Sequence, residues 1–109
     1  MGEPIAELAE ASMNFDAELV APFVERLSSL VTGLAAPQIA QVVDAIEDLG
    51  IDEERELIFE VLHQRRAVRL KIRVGMDDVD APDLYFFTTR ELAAEITNVM
   101  ADFCEEHGI

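Results

Sequence analysis

Residues 68–74 read Val68-Arg69-Leu70-Lys71-Ile72-Arg73-Val74. This alternation of aliphatic and cationic residues predicts the architecture of the chain. Successive side chains of a β-strand point to opposite faces. This spacing therefore places the aliphatic residues on one face and the cations on the other. We predict a strand over 67–74 that packs on one side and meets solvent on the other.

A second strand is predicted after an acidic segment, at Leu84-Tyr85-Phe86-Phe87. Aromatic residues favour strands, and the two strands are expected to pair as an antiparallel hairpin with a long loop at 75–83. Alternation places Tyr85 and Phe87 on one face and the other two residues on the opposite face. Because only one face can be packed, we expect an exposed aromatic residue on this hairpin.

Helical patterns surround the hairpin. Apolar residues three or four positions apart predict helices over 16–33, 37–49 and 90–106, and residues 4–13 form a shorter candidate. Pro22 lies inside the first long pattern, so we expect a kink or a helix start there. Two strands alone are only marginally stable, so the helices are expected to cover their apolar face.

Residues 53–65 fit two structures. In a helix, one face would carry the apolar residues Leu57, Ile58, Val61 and Leu62. In a strand, one side would carry Leu57, Phe59 and Val61. The long charged residues of this segment are helix formers, so we expect a helix, with a third strand over 56–63 as the alternative.

The chain is therefore predicted to be a single small acidic α+β domain over 1–109, with residues 1–15 attached more loosely. N-terminal helices and a C-terminal helix would pack on a short antiparallel β-hairpin. The 109 residues are 50% hydrophobic, which is enough to fill one core. This composition is too apolar for a disordered chain, despite a formal net charge of -15.

The compartment is predicted from the cysteine count and the N-terminus. Cys104 is the single cysteine and cannot form an internal disulfide, so we expect a reducing, cytoplasmic setting. Residues 1–7 are acidic where a secretory signal would be basic. The longest uncharged run, 27–43, contains Gly33 and Pro37 and is a poor membrane span, so no membrane partner is expected.

A basic cluster stands out in this acidic chain. Five of the eight Lys and Arg residues fall within nine positions: Arg65, Arg66, Arg69, Lys71 and Arg73. Such a strip can hold a phosphate, a carboxylate or a nucleic-acid backbone, or it can be neutralised by neighbouring acids. Because the chain as a whole repels nucleic acid, a partner with a basic patch is expected instead.

An acidic segment follows the basic strand and contains Asp77, Asp78, Asp80 and Asp83. Several carboxylates on a loop suit Ca²⁺. The spacing of an EF-hand fails, however, because Asp83 stands where that loop needs glycine and Thr89 where it needs the closing acid. Three interpretations stay open: solvated turn residues, a cation site, and an acidic tip that docks a basic partner.

Catalytic and cofactor motifs do not emerge from the sequence. His63 and His107 accompany no motif, and Cys104 falls on an apolar helical stripe as a small buried residue. The chain has no glycine-rich phosphate loop and no Cys/His metal spacing. We therefore expect no enzyme activity, no cofactor and no metal site.

The predicted function is a non-catalytic interaction or regulatory module that recognises a protein partner through this charged hairpin. The basic strand 65–73 and the acidic tip 77–83 would orient the partner, and Tyr85 and Phe87 would supply affinity. The alternatives are an anionic-ligand or nucleic-acid binder that uses the basic strand, and a Ca²⁺-binding acidic loop. A homodimer also stays open, because the apolar helix stripes could form a seam between protomers.

Overall fold

The computed structural model describes residues 9–14, 17–78 and 81–108 of the chain. Its elements in chain order are β1 (Ala9–Asn14), a 3-10 turn (Ala17–Leu19), α1 (Val20–Leu27), α2 (Ala36–Asp48), β2 (Glu54–His63), β3 (Arg66–Asp78), β4 (Ala81–Thr88) and α3 (Arg90–His107). The four strands form one antiparallel sheet in the order β1-β4-β3-β2. The helices pack on one face of this sheet, which confirms the predicted α+β class.

The β3–β4 hairpin has the faces that the alternation predicted. Leu70, Ile72 and Val74 of β3 are almost fully buried, as are Leu84 and Phe86 of β4. The intervening residues of both strands lie on the other side of the sheet and are partly or fully exposed. The apolar side chains of the hairpin therefore form the floor of the core beneath the helices.

The predicted loop at 75–83 is wrong, because both strands continue into it. Gly75 pairs with Asp83 and Met76 with Pro82, and a β-bulge lies between Met76 and Asp78. Aspartates are depleted in strands, which made the segment resemble a loop. Continued pairing instead provides hydrogen bonds for the backbone groups of this segment.

The predicted helix at 53–65 is also wrong, and the alternative third strand is correct. Residue by residue, β2 pairs with β3 from Glu54 to His63, and Phe59 and Val61 point into the core. Gln64 and Arg65 join the two strands with φ angles of 54° and 70°. Positive φ at both central residues is the geometry of a type I′ turn, which usually contains Asn or Gly. Cross-strand packing thus outweighs the helix propensity of the charged residues.

The short helix predicted over 4–13 is contradicted at the positions that the structure describes. Residues 9–14 form β1, which pairs with β4 from Ala9↔Thr88 to Asn14↔Asp83. Ala, Glu and Met favour helices, so local propensity argues against this strand. Pairing with the backbone groups of β4, which would otherwise lie at an open edge, outweighs that preference.

Helices α2 and α3 lie close to their predicted ranges, but the helix predicted over 16–33 is too long. α1 ends at Leu27, because the chain then turns to form the Thr32–Leu62 bridge. Pro22 lies in the first turn of α1 and Pro37 in the first turn of α2, where a missing amide donor breaks no helical hydrogen bond. Thr89 Oγ1 accepts a hydrogen bond from the Leu92 amide at 3.2 Å at the start of α3, and Gly108 ends that helix at φ 71°. In the described part of the chain, no helix has both the length and the apolar character that a bilayer span requires.

Three aromatic rings join the helices to the sheet. The Phe23 ring on α1 lies 6.0 Å from Phe86 on β4 and 5.4 Å from Phe103 on α3, measured between ring centroids. All three side chains are almost fully buried. Phe23 therefore stands at the point where two helices and the central sheet meet.

An ion pair between α1 and α3 makes a pH-dependent contribution to stability. Arg26 Nη2 lies 2.5 Å from Glu106 Oε1, and this hydrogen bond is the largest cause that lowers the pKa of Glu106 below its ordinary value of 4.5. Because the pKa is lower in the folded state, the stabilisation is present above about pH 4.5 and is lost as the pH falls through the folded-state pKa. Both groups are exposed, so solvent screening keeps this contribution small.

We expect Arg26→Gln to return the pKa of Glu106 toward 4.5, because the guanidinium donor is removed. An NMR titration of the Glu106 carboxyl carbon measures this change. Arg55→Gln, which alters a separate ion pair with Asp48, is the control and should leave the pKa of Glu106 in place. An unchanged pKa of Glu106 in Arg26→Gln would contradict the assignment.

Candidate interaction surface

The side of the sheet that faces away from the helices is called the open sheet face. Its members with described side chains are Glu54, Glu56, Ile58, Glu60 and Leu62 of β2, Ala67, Arg69, Lys71 and Arg73 of β3, and Asp83, Tyr85 and Phe87 of β4. Among the described residues, no helix lies over this face. It is therefore a surface on which a partner could rest.

A cation–aromatic cluster occupies the middle of the open sheet face. Lys71 pairs with Phe87 across the β3–β4 ladder, and Arg73 pairs with Tyr85. The Lys71 ammonium lies 5.0 Å from the centre of the Phe87 ring. The Arg73 guanidinium carbon lies 5.0 Å from the Tyr85 ring centre and 5.1 Å from that of Phe87. The structure thus brings together four of the residues that the sequence singled out.

Arg73 has a buried polar atom in this cluster. Its Nε atom is buried and has no hydrogen-bond partner among the residues that the structure describes. Among the described residues, no carboxylate lies within 4.0 Å of Arg73 either, so none forms an ion pair with it. Two aromatic rings contact the guanidinium, and no acid among the described residues pairs with it.

Two further cations of β3 have acidic neighbours on β2. Arg69 Nη2 lies 3.6 Å from Glu60 Oε2, and Lys71 Nζ lies 3.7 Å from Glu56 Oε2. Both glutamates are exposed, and exposed ion pairs contribute little to stability. The neutralisation that the sequence analysis left open is thus present for Arg69 and Lys71.

Two aliphatic side chains on the open sheet face were placed in the core by the helix prediction. Ile58 is 58% exposed and Leu62 is 48% exposed. The strand turns both residues away from the core, because they alternate with Phe59 and Val61. The alternate spacing of Leu57, Phe59 and Val61 is the signal that would have found them.

The remaining predicted residues lie away from the cluster or outside the described region. Arg65 and Arg66 are exposed at the turn that joins β2 to β3. The backbones of Asp77 and Asp78 belong to the end of β3, where their side chains are not described. Asp80 lies outside the described residues. The acidic tip therefore remains a prediction.

His63, which the sequence analysis connected with no motif, joins the sheet to α3. It is buried at the end of β2, and its Nε2 atom lies 3.0 Å from Glu95 Oε1 on α3. Gln64 Nε2 donates to the other oxygen of Glu95 at 3.4 Å. These contacts hold the β2–β3 turn against α3.

Metal-binding geometry is not found in the described part of the chain, where no three His, Cys, Asp or Glu side chains converge as a metal site would need. On the open sheet face, cations, aromatic rings and exposed aliphatic side chains lie side by side. Neither a protein-family model, nor a curated protein, nor a solved structure matches this chain.

Proposed function

We propose that this chain is a non-catalytic protein-interaction module that binds a protein partner through the open sheet face. The observation that carries the proposal is the exposure of Ile58 and Leu62 beside the cluster of Lys71, Arg73 and two aromatic rings. Apolar side chains next to Arg and Tyr are the typical composition of the centre of a protein interface.

The charges around this cluster favour a protein over a nucleic acid. Glu54, Glu56 and Glu60 border the cations, and the chain has a formal net charge of -15. Such a surface repels a phosphate backbone. The alternative, a small anionic ligand or a nucleic acid, is favoured by one observation, the absence of an acidic partner for Arg73 among the described residues.

Arg73→Met is the most informative substitution for this proposal. It keeps an unbranched side chain over Tyr85 and Phe87 and removes the charge and the unpaired Nε donor. Losing the cation–aromatic contact costs about 0.5–2 kcal/mol, whereas removing an unsatisfied buried donor is favourable by about 1–3 kcal/mol. We therefore expect the free energy of unfolding to change by only about 1 kcal/mol, measured by urea denaturation, while partner binding falls about ten-fold.

Site-specific photo-crosslinking in the cells that the protein comes from tests this expectation. A crosslinking amino acid at Ile58 should capture a distinct protein, and Arg73→Met should weaken that product. The same group at Asp44, which is exposed on α2, is the matched control and should not capture it. Equal capture from both positions, or a product removed by nuclease, would overturn the proposal. Capture of only a second copy would replace it with a homodimer.

A further inference from the structure

The outer edge of β2 presents unpaired backbone groups. β2 is an edge strand of the sheet, and the Leu62 amide and carbonyl pair with Thr32 at 2.8 Å and 2.9 Å. Thr32 lies on the side away from β3. Because strand residues alternate in the direction of their amide and carbonyl groups, Glu54, Glu56 and Ile58 also direct theirs outward. In the described part of the chain these outward groups have no hydrogen-bond partner.

The C-terminal end of the β2 edge is covered by the segment that joins α1 to α2. Thr32 bridges Leu62, and Gly33 lies directly against the Glu60 carbonyl oxygen. The open part of the edge therefore runs from Glu54 to Ile58. It borders the open sheet face, so a strand added here would lie beside the proposed binding surface.

The same residues also supply side chains of a definite chemistry. Glu54, Glu56 and Ile58 are exposed, and they lie on the open sheet face because their positions alternate along β2 with those of the buried residues Phe59 and Val61. Glu60 continues the acidic row, and its ion pair with Arg69 is exposed and weak. A strand that pairs with the open part of this edge meets the carboxylates of Glu54 and Glu56 and the aliphatic side chain of Ile58.

We infer that the β2 edge binds an extended basic segment of a protein partner as an added fifth strand. This inference rests on the proposed function and names the class of partner. Backbone hydrogen bonds to Glu54, Glu56 and Ile58 would provide affinity. Lys or Arg at alternate positions of the segment would face the glutamates, and an apolar residue would face Ile58. Attraction between these basic residues and the glutamates of β2 would make the edge specific for a basic segment.

The glutamate row also discriminates against a second copy of this chain. Antiparallel pairing of two β2 strands about Glu56 sets Glu56 against itself, and pairing about Leu57 sets Glu54 against Glu60. Like charges directly opposite each other destabilise a strand pair. Charged side chains protect many edge strands from self-association. A row of negative charges prevents self-association of the edge and still accepts a positively charged strand.

A designed peptide tests the inference on the full chain. The peptide Thr-Val-Thr-Lys-Thr-Lys-Thr places valine opposite Ile58 and lysines opposite Glu56 and Glu54 when it pairs antiparallel. Fluorescence anisotropy measures its dissociation constant. Hydrogen exchange followed by NMR should show slower exchange of the Glu54, Glu56 and Ile58 amides when the peptide is bound, because those amides become hydrogen-bonded.

Matched variants separate backbone pairing from charge attraction. N-methylation of the valine and the lysines blocks the amides that would face β2, whereas N-methylation of the threonines leaves those amides intact. Both changes keep the charge of the peptide.

On the protein, Ile58→Pro removes the outward amide without loss of a hydrogen bond to β3, and Ile58→Thr keeps that amide. The blocked peptide and the proline variant should each bind about ten-fold more weakly than their controls. Circular dichroism verifies that Ile58→Pro remains folded.

The possible results divide clearly. Slowed exchange at the β2 edge with a selective loss for the blocked peptide supports strand addition. Equal affinity of the two N-methylated peptides, or no binding of the parent peptide, overturns it. The proposed function is tested separately, because weaker crosslinking in Arg73→Met does not depend on the edge amides. If the peptides fail and that loss is still observed, the partner binds the open sheet face without adding a strand.

Discussion

Replacing Phe23 by alanine is expected to lower the free energy of unfolding by about 3–5 kcal/mol. The Phe23 ring is fully buried and contacts Phe86 and Phe103 from the helix side of the sheet. Its removal leaves a cavity where α1, α3 and β4 meet, and the lost ring contacts add to the lost burial. Urea denaturation monitored by circular dichroism measures the change.

Ile51→Ala is the control for this substitution. Ile51 is also a large apolar residue, but it is 56% exposed in the turn before β2, so its loss should change stability by only about 0.5 kcal/mol. Phe23→Leu should lie between the two because it fills much of the cavity. A loss below about 1 kcal/mol for Phe23→Ala would show that the three rings do not form the junction described above.

Gly33→Ala is expected to destabilise the fold by about 1–3 kcal/mol. Gly33 has a φ of 111°, a conformation that L-residues rarely adopt. An added Cβ would also lie 3.2 Å from the Glu60 carbonyl oxygen and 3.4 Å from the Val61 Cα, which are backbone atoms that cannot turn away. Thermal unfolding measures the loss of stability, and faster hydrogen exchange of the Leu62 amide should accompany it.

Gly75→Ala is the matched control, since Gly75 also lies beside β2. Its φ is not positive, and an added Cβ would meet Glu54 Cγ at 3.5 Å, an ordinary contact. This substitution should change stability by less than about 1 kcal/mol. If the two alanine variants were equally stable, backbone strain and close approach at Gly33 would be excluded as constraints on the Thr32–Leu62 bridge.

The faces of β3 and β4 were predictable from local patterns. Arg69, Lys71 and Arg73 alternate with aliphatic residues, and Tyr85 alternates with Leu84 and Phe86. The cluster itself was not predictable, because it depends on the pairing of Lys71 with Phe87 and Arg73 with Tyr85. That register follows from how both strands pack beneath the helices, which involves contacts between distant segments.

The β2 segment shows why propensity failed. Glu, Arg, Leu and Gln favour a helix locally, and the Gln64-Arg65 turn lacks the Asn or Gly that usually marks a tight hairpin. Pairing with β3 supplies more favourable contacts than an isolated helix would. The consequence for function is direct: Ile58 and Leu62, which a helix would bury, lie on the open sheet face.

Alternation at 68–74 and the apolar spacing of the helices were enough to establish an α+β class with one packed and one charged hairpin face. These are local properties, because a side chain's direction follows from the geometry of its own strand or helix. Among the described residues, the strand order, the edge position of β2 and the lack of a helix over the open sheet face depend on long-range pairing. Such pairing depends on burial and hydrogen bonds between segments far apart in the chain, and no local pattern contains them.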